Sequence, residues 1–223
     1  MDMSYNVLIG GVVGSGKSYT ENIIIQKVKA TLPDARLVLI DPKRVELAPW
    51  KDDPATLWYA AEEGDIVDTL QRVYDLMELR FQRMQAEGLK ASREAHIFVF
   101  VDEMAFLMQG KAKKAYTEMF SRICLMGRAA RIHLILCSQV CTQAVIPACI
   151  RDNMVNIVCL RQRDEGKYRY LLGKMPASGP LPPIGMAYVL TPNCMRPQKV
   201  NTADVWDVIT GKDETSKIMS GTA

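Results

Sequence analysis

The sequence predicts an α/β domain built on a mostly parallel central sheet with helices on both faces. Three observations lead there. A short apolar run, residues 5–9, ends in a glycine-rich loop that opens a helical pattern. A second apolar run follows within about 35 residues, the strand–loop–helix–strand order of a βαβ unit. Two later apolar runs, residues 97–101 and 132–137, each end in polar residues, as strands do where a parallel sheet meets a ligand crevice.

Taken in order, Tyr5, Asn6, Val7, Leu8 and Ile9, bounded by Gly10 and Gly11, read as a buried strand. Residues 17–30 read as a helix with Ile23, Ile24, Ile25 and Val28 available for burial, and Pro33-Asp34 breaks it. Residues 36–40 form the second strand, ending at Asp41 and Pro42. A looser segment with Pro49, Pro54 and the tryptophans Trp50 and Trp58 follows. Residues 65–88 carry apolar side chains at 66, 67, 70, 73, 74, 77 and 81, close to helical spacing, and Gly88 suits the helix end. The third strand, 97–101, runs directly into Asp102 and Glu103. A helix over 113–130 leads to the fourth strand, which ends at Ser138 and Gln139, and residues 155–160 make a fifth. Residues 175–183 are rich in proline and glycine, and 186–190 read as an edge strand or hairpin arm. Neither an internal repeat nor a dividing linker is visible. The expectation is one domain over residues 1–223, with 201–223 as a C-terminal tail.

Composition narrows the class. The chain has 223 residues, 48% of them hydrophobic, enough to bury a core and too many for a disordered chain. No stretch approaches the ~20 apolar residues of a membrane helix, and the first four residues lack the basic start of a signal peptide. A soluble, cytoplasmic protein is expected, with any membrane attachment made through partners or further segments. The six cysteines (124, 137, 141, 149, 159 and 194) form no Cys-x-x-Cys pair, and with two histidines they give a zinc site little support. Four of them lie in or beside apolar runs and read as reduced core residues. A net charge of +3 says little about nucleic acid, but residues 111–133 hold six Lys or Arg against one acid, Glu118. That run is either a solvated helix face or a surface for phosphates.

The chemistry concentrates at the strand ends. Gly11, Val12, Val13, Gly14, Ser15, Gly16, Lys17 and Ser18, with Tyr19 next, match a phosphate-binding loop between a strand and a helix. A triphosphate packs several negative charges into a small volume. Glycines let backbone N–H groups wrap around it, and the helix adds its positive end. Lys17 supplies a point charge to the β- and γ-phosphates, and the Ser18 hydroxyl is a Mg²⁺ ligand. ATP and Mg²⁺ are the expected cofactors. Asp102 can hold the Mg²⁺ through its waters, and Glu103 can polarise an attacking water as general base. The competing reading is that these two acids only cap the next helix. A catalytic Glu beside the magnesium Asp points to P-loop ATPases that insert a strand between the loop strand and the Asp strand. Gln139, at the end of the fourth strand, can sense the γ-phosphate or be a turn residue. The same geometry places Asp41, Pro42 and Lys43 beside the site at the end of the second strand, Asp41 as a supporting candidate.

Four segments carry a family resemblance: residues 11–18 (GVVGSGKS), 39–47 (LIDPKRVEL), 98–108 (FVFVDEMAFLM) and 127–139 (GRAARIHLILCSQ). In that order they resemble the motor domain of FtsK/SpoIIIE-type DNA translocases, and residues 171–173 and 186–190 look like its closing segment. The resemblance covers about residues 5–200. It implies a RecA-like P-loop ATPase assembled as a homo-oligomeric ring, usually a hexamer, around double-stranded DNA. It also implies a nucleotide between subunits, completed by an arginine from the neighbour, for which Arg128 is the first choice and Arg131 the second. Lys111, Lys113 and Lys114 can then form a DNA-facing pore loop, or a solvated helix start. The family's Gln is normally followed by Arg-Pro, whereas Val140-Cys141 stand here. Its preceding domain and its C-terminal winged-helix domain have no counterpart in these residues, so the expectation is a motor core, excised or from a compact mobile-element relative.

Three functions compete: a DNA-translocating ATPase, an ATPase powering protein export on the same fold, and a nucleotide-binding scaffold that no longer cycles. Export motors usually carry tandem motor domains, and intact Lys17, Ser18, Asp102 and Glu103 argue against the scaffold.

Overall fold

A computed structural model describes residues 5–173, 182–194 and 196–212. Eight strands form one sheet in the order β3-β2-β4-β5-β1-β6-β7-β8. They are β1 (Val7–Gly10), β2 (Arg36–Ile40), β3 (Thr56–Ala60), β4 (Ile97–Val101), β5 (Ile132–Ser138), β6 (Asn156–Cys159), β7 (Met186–Leu190) and β8 (Gln198–Asn201). The first six are mutually parallel, and β7 and β8 add antiparallel. β5 lies between β1 and β4, which is the inserted strand the sequence anticipates.

The helices are α1 (Lys17–Thr31), α2 (Glu63–Glu87), α3 (Met104–Leu107), α4 (Lys113–Met126), α5 (Ala148–Arg151), α6 (Glu165–Leu172) and α7 (Val205–Thr210). They cover both faces. Ile24, Ile25 and Val28 of α1 pack with Trp206 and Ile209 of α7 on one side. Ile66, Leu70, Val73 and Met77 of α2 join Tyr116, Phe120 and Ile123 of α4 on the other. β4 serves both layers: Ile97, Val99 and Val101 face α2 and α4, while Phe98 and Phe100 face the α1 layer. A strand buried on both faces is necessarily a continuous apolar run. Truncating either phenylalanine to alanine would cost about 3–5 kcal/mol.

Several expectations shift. The helix expected over 113–130 ends at Met126. There the chain turns at Gly127, whose added Cβ would lie 2.5 Å from the Ile132 carbonyl oxygen, and re-enters as β5. The looser segment after Asp41 contains β3, and residues beyond 201 include α7 rather than tail alone. Ile23 is only half-buried, whereas Glu21 is fully buried on the same helix. The proline- and glycine-rich stretch from Met175 falls largely outside the described residues. Cys124, Cys137, Cys141 and Cys159 are buried free thiols, as expected of core residues.

Candidate nucleotide-binding site

The glycine-rich loop leaves β1 at the carboxyl end of the sheet. Its start is clamped between the flanking strands: Gly11 N–H donates to the Ser138 carbonyl (3.1 Å) and Val12 N–H to that of Arg161 (3.0 Å). Gly11 has no room for a side chain, since a Cβ would lie 2.4 Å from Ser15 Oγ. Gly16, at the head of α1, has φ 93°, a left-handed conformation that glycine adopts freely. Val13 and Gly14 face solvent, Val12 is half-buried, and Tyr19 stands exposed at the rim. The loop's N–H groups and the amino end of the 15-residue α1 therefore converge where an anion is stabilised.

Lys17 is only 6% exposed, and its Nζ donates to Asp102 Oδ1 (2.8 Å) and to the Asp102 carbonyl (3.1 Å). Burial pushes its pKa down; the acidic neighbours Cys137, Asp102 and Glu21 outweigh that and hold it above the ordinary lysine value. Asp102 is the physically important partner, because burial raises the pKa of both the Cys137 thiol and the Glu21 carboxyl. The lysine that the sequence assigns to phosphate is thus parked on the acid it assigns to magnesium.

Asp102 is fully buried, and its Oδ2 has no hydrogen-bond partner, only the Lys43 ammonium at 3.8 Å. An orphaned buried carboxylate oxygen is what a cation's water shell would satisfy. Among the described residues no three His, Cys, Asp or Glu side chains converge on a resident metal. The unpartnered Asp102 oxygen fits a Mg²⁺ that arrives with phosphates, which Asp102 and the Ser18 hydroxyl would hold.

Glu103 combines both readings offered for it. It caps α3, accepting from Ala105 N–H (3.2 Å), and it sits at the site. The same Oε1 accepts from Gln139 N–H (3.1 Å) and the Ser138 hydroxyl (3.4 Å), while Oε2 meets Lys43 Nζ at 3.0 Å. Gln139 is therefore tied to Glu103 through its backbone. Asp41 stands further back: buried, it accepts from Leu47 and Ala48 N–H (3.0 and 3.1 Å) and shapes the loop that carries Lys43 to Glu103.

The other expected residues lie apart. Arg128 is exposed in the turn before β5, at the opposite end of the sheet from the glycine-rich loop. Arg131 is there too, with φ 56° and its guanidinium donating to the Glu94 carbonyl (3.1 Å). Lys111, Lys113 and Lys114 are exposed at the start of α4 and border an open groove of about 730 Å³ with Thr117, Ser121 and Cys149.

Sequence reading missed Ser138 and Glu21, and it placed Lys43 beside the site without giving it a task. Lys43 is 60 positions from its carboxylate, and only its adjacency to Asp41-Pro42 hinted at a role. Glu21 is 0% exposed, and its pKa is pushed up to about 8, first by burial and then by Asp102. An acid on the apolar face of a helix was the available signal.

The model of the FtsK/SpoIIIE family matches residues 1–96 and 90–143. The DNA translocase FtsK of Streptomyces coelicolor is 31% identical over 175 residues, which is 67% of this chain and 19% of that protein. The DNA translocase SftA of Bacillus subtilis is 31% identical over 164 residues, 66% of this chain and 17% of that one. The chain thus spans about a fifth of these relatives. Among solved structures, the pCW3 conjugation coupling protein TcpA, in a monomer form with ATPγS, superposes with TM-score 0.76 at 19% identity, over 95% of this chain and 66% of that one. EssC (ATPases 2 and 3) from Geobacillus thermodenitrificans gives 0.74 at 18% identity, over 96% and 44%. At those identities the structures attest the fold.

Proposed function

This chain belongs to the FtsK/SpoIIIE family, and we propose that it is a single motor domain that couples ATP hydrolysis to movement of double-stranded DNA. The observation that carries this reading is the buried set of Lys17, Asp102 and Glu103 at the mouth of the glycine-rich loop, with Lys17 bonded to Asp102 at 2.8 Å. In this reading the γ-phosphate draws Lys17 off Asp102, which frees that carboxylate. Bound Mg²⁺, held by Asp102 and Ser18, supplies charge neutralisation on the phosphates. Glu103, held in place by the Gln139 N–H and the α3 cap, orients the attacking water and takes its proton. Gln139 follows the γ-phosphate, and its backbone link passes that information to Glu103. Tyr19 lies against the nucleotide at the rim.

Arg128 cannot reach its own loop from the far end of β5. Its exposure there supports a role in trans, as an arginine presented to a neighbour's nucleotide in a homo-oligomeric ring, which we take to be hexameric. Lys111, Lys113 and Lys114 are the groups we assign to the DNA backbone, where charge without base readout suffices.

Steady-state ATP turnover with and without long duplex DNA, at low and moderate salt, tests the proposal. Stimulation that fades with salt is the expected result. The fold likeness extends to EssC and to the type VII secretion ATPase EccC of Thermomonospora curvata, which keeps protein export as the second reading. The relatives above 30% identity carry DNA-translocase names and favour the first. Turnover by assembled protein that ignores DNA would move the assignment to export.

A further inference from the structure

Glu21 is a fully buried carboxyl beside the phosphate loop for which the mechanism above has no task. The Cys137 thiol, a weak donor, is the one group set to hydrogen-bond it, and neither of its oxygens receives an N–H or O–H. It lies one helical turn after Lys17, so both side chains leave the same face of α1. The ionisable groups around it are Asp102 at the end of β4, Lys17 on its own helix, Cys137 on β5 and Asp41 at the end of β2. Asp102 Oδ2 is also buried without a hydrogen-bond partner. The next residues inward on that helix face, Ile24, Ile25 and Val28, are apolar, so an aliphatic side chain would suit the position. A carboxyl kept there with only a thiol to hydrogen-bond it calls for a ligand that supplies the rest.

We infer that Glu21 is a positioning residue for the divalent cation of this site, the outer acceptor for the water shell of the ion that Asp102 and Ser18 would hold. The inference rests on the nucleotide reading above. Magnesium surrenders its waters reluctantly and is held by one or two carboxylates plus phosphates, so its remaining waters need acceptors on the protein side. Once phosphates take Lys17, the oxygens of Asp102 and Glu21 are buried acceptors on either side of it, with Asp41 Oδ1 a third buried oxygen further back.

The test is a Mn²⁺ titration of the ADP-saturated protein, with free ion read by electron paramagnetic resonance. Glu21→Met keeps the volume and removes the acceptor, Glu21→Leu repeats that removal, and Glu21→Gln keeps an acceptor. The two apolar variants should weaken Mn²⁺ binding at least about tenfold, the scale of outer-shell losses at metal sites. Glu21→Gln should stay within about threefold, and ADP affinity in EDTA should match wild type throughout. Apolar variants within twofold of wild type would overturn the inference, and so would a Glu21→Gln loss as large as theirs. Wild-type protein that binds no ADP would instead overturn the nucleotide reading on which this rests.

Discussion

Lys43 Nζ lies 3.0 Å from Glu103 Oε2, and the same ammonium stands 3.8 Å from Asp102 Oδ2. The carboxylate we assign as general base is therefore occupied, and a water must compete with Lys43 for it. The lysine is about a third exposed, so solvent screening limits the pair to about 1 kcal/mol or less. Lys43→Met should raise turnover in the absence of DNA by up to roughly fivefold. Glu103→Gln should retain ATP and lower turnover by about 10²–10⁴-fold. A fall in basal turnover for Lys43→Met would assign the lysine to phosphate binding instead.

The Lys17–Asp102 pair makes a stability prediction separable from activity. Removing only the lysine leaves a buried charge alone, which costs about 3–5 kcal/mol. Lys17→Met should therefore melt well below wild type and bind nucleotide poorly. Adding Asp102→Asn should recover much of the stability and none of the binding, a coupling that a double-mutant cycle measures directly. Additive losses would mean that the two residues do not form a pair in solution.

Charge at the start of α4 should appear in the salt dependence of DNA binding. If each of Lys111, Lys113 and Lys114 neutralises one phosphate, replacing all three with alanine should lower the slope of log K against log salt by about 3. A weaker affinity with an unchanged slope would assign the contacts to other residues.

Two buried groups give stability opposite pH limbs. Burial pushes the Glu21 carboxyl up to about 8 from its ordinary 4.5, so the folded chain holds a proton that the unfolded chain releases. Its contribution to stability therefore falls as pH rises from about 4.5 to 8. His133 is pushed down to about 3 from 6.5, chiefly by burial and then by His96, Arg80 and Arg131. The unfolded chain takes up that proton first, so stability also falls as pH drops through 6.5 towards 3. In urea titrations at pH 5, 6.5 and 8, the advantage of Glu21→Met over wild type should grow with pH, reaching a few kcal/mol at most. A constant gap would place the Glu21 titration elsewhere.

What could be read from the sequence follows from burial. β4 and β5 are covered on both faces, so β4 appears as an unbroken apolar run and β5 as one interrupted only by His133, and Asp102, Glu103 and Gln139 could be placed at their ends. β3 and β8 escaped notice because they are edge strands. Leu57 is exposed, Trp58 is half-buried, and Gln198 and Lys199 face solvent, leaving neither alternation nor a run. α6 escaped for a related reason: its first half is charged, and its start depends on Asp164 accepting from Lys167 N–H (3.1 Å), a local cap rather than a periodic stripe. In the site, the loop was legible because phosphate binding constrains consecutive residues. Lys43 and Glu21 were not, because their roles depend on what the sheet order brings beside them.

The seven residues of β5 separate the Arg128 turn from Ser138 by about 20 Å. With Arg128 in its proposed role, each polypeptide carries two halves of two different reaction centres and the whole of none. Specific activity would then depend on concentration: dilution below the association point would silence every molecule without unfolding any. A cell holding such a chain sparsely would keep its fuel unspent until copies gathered at one place, making assembly itself the ignition.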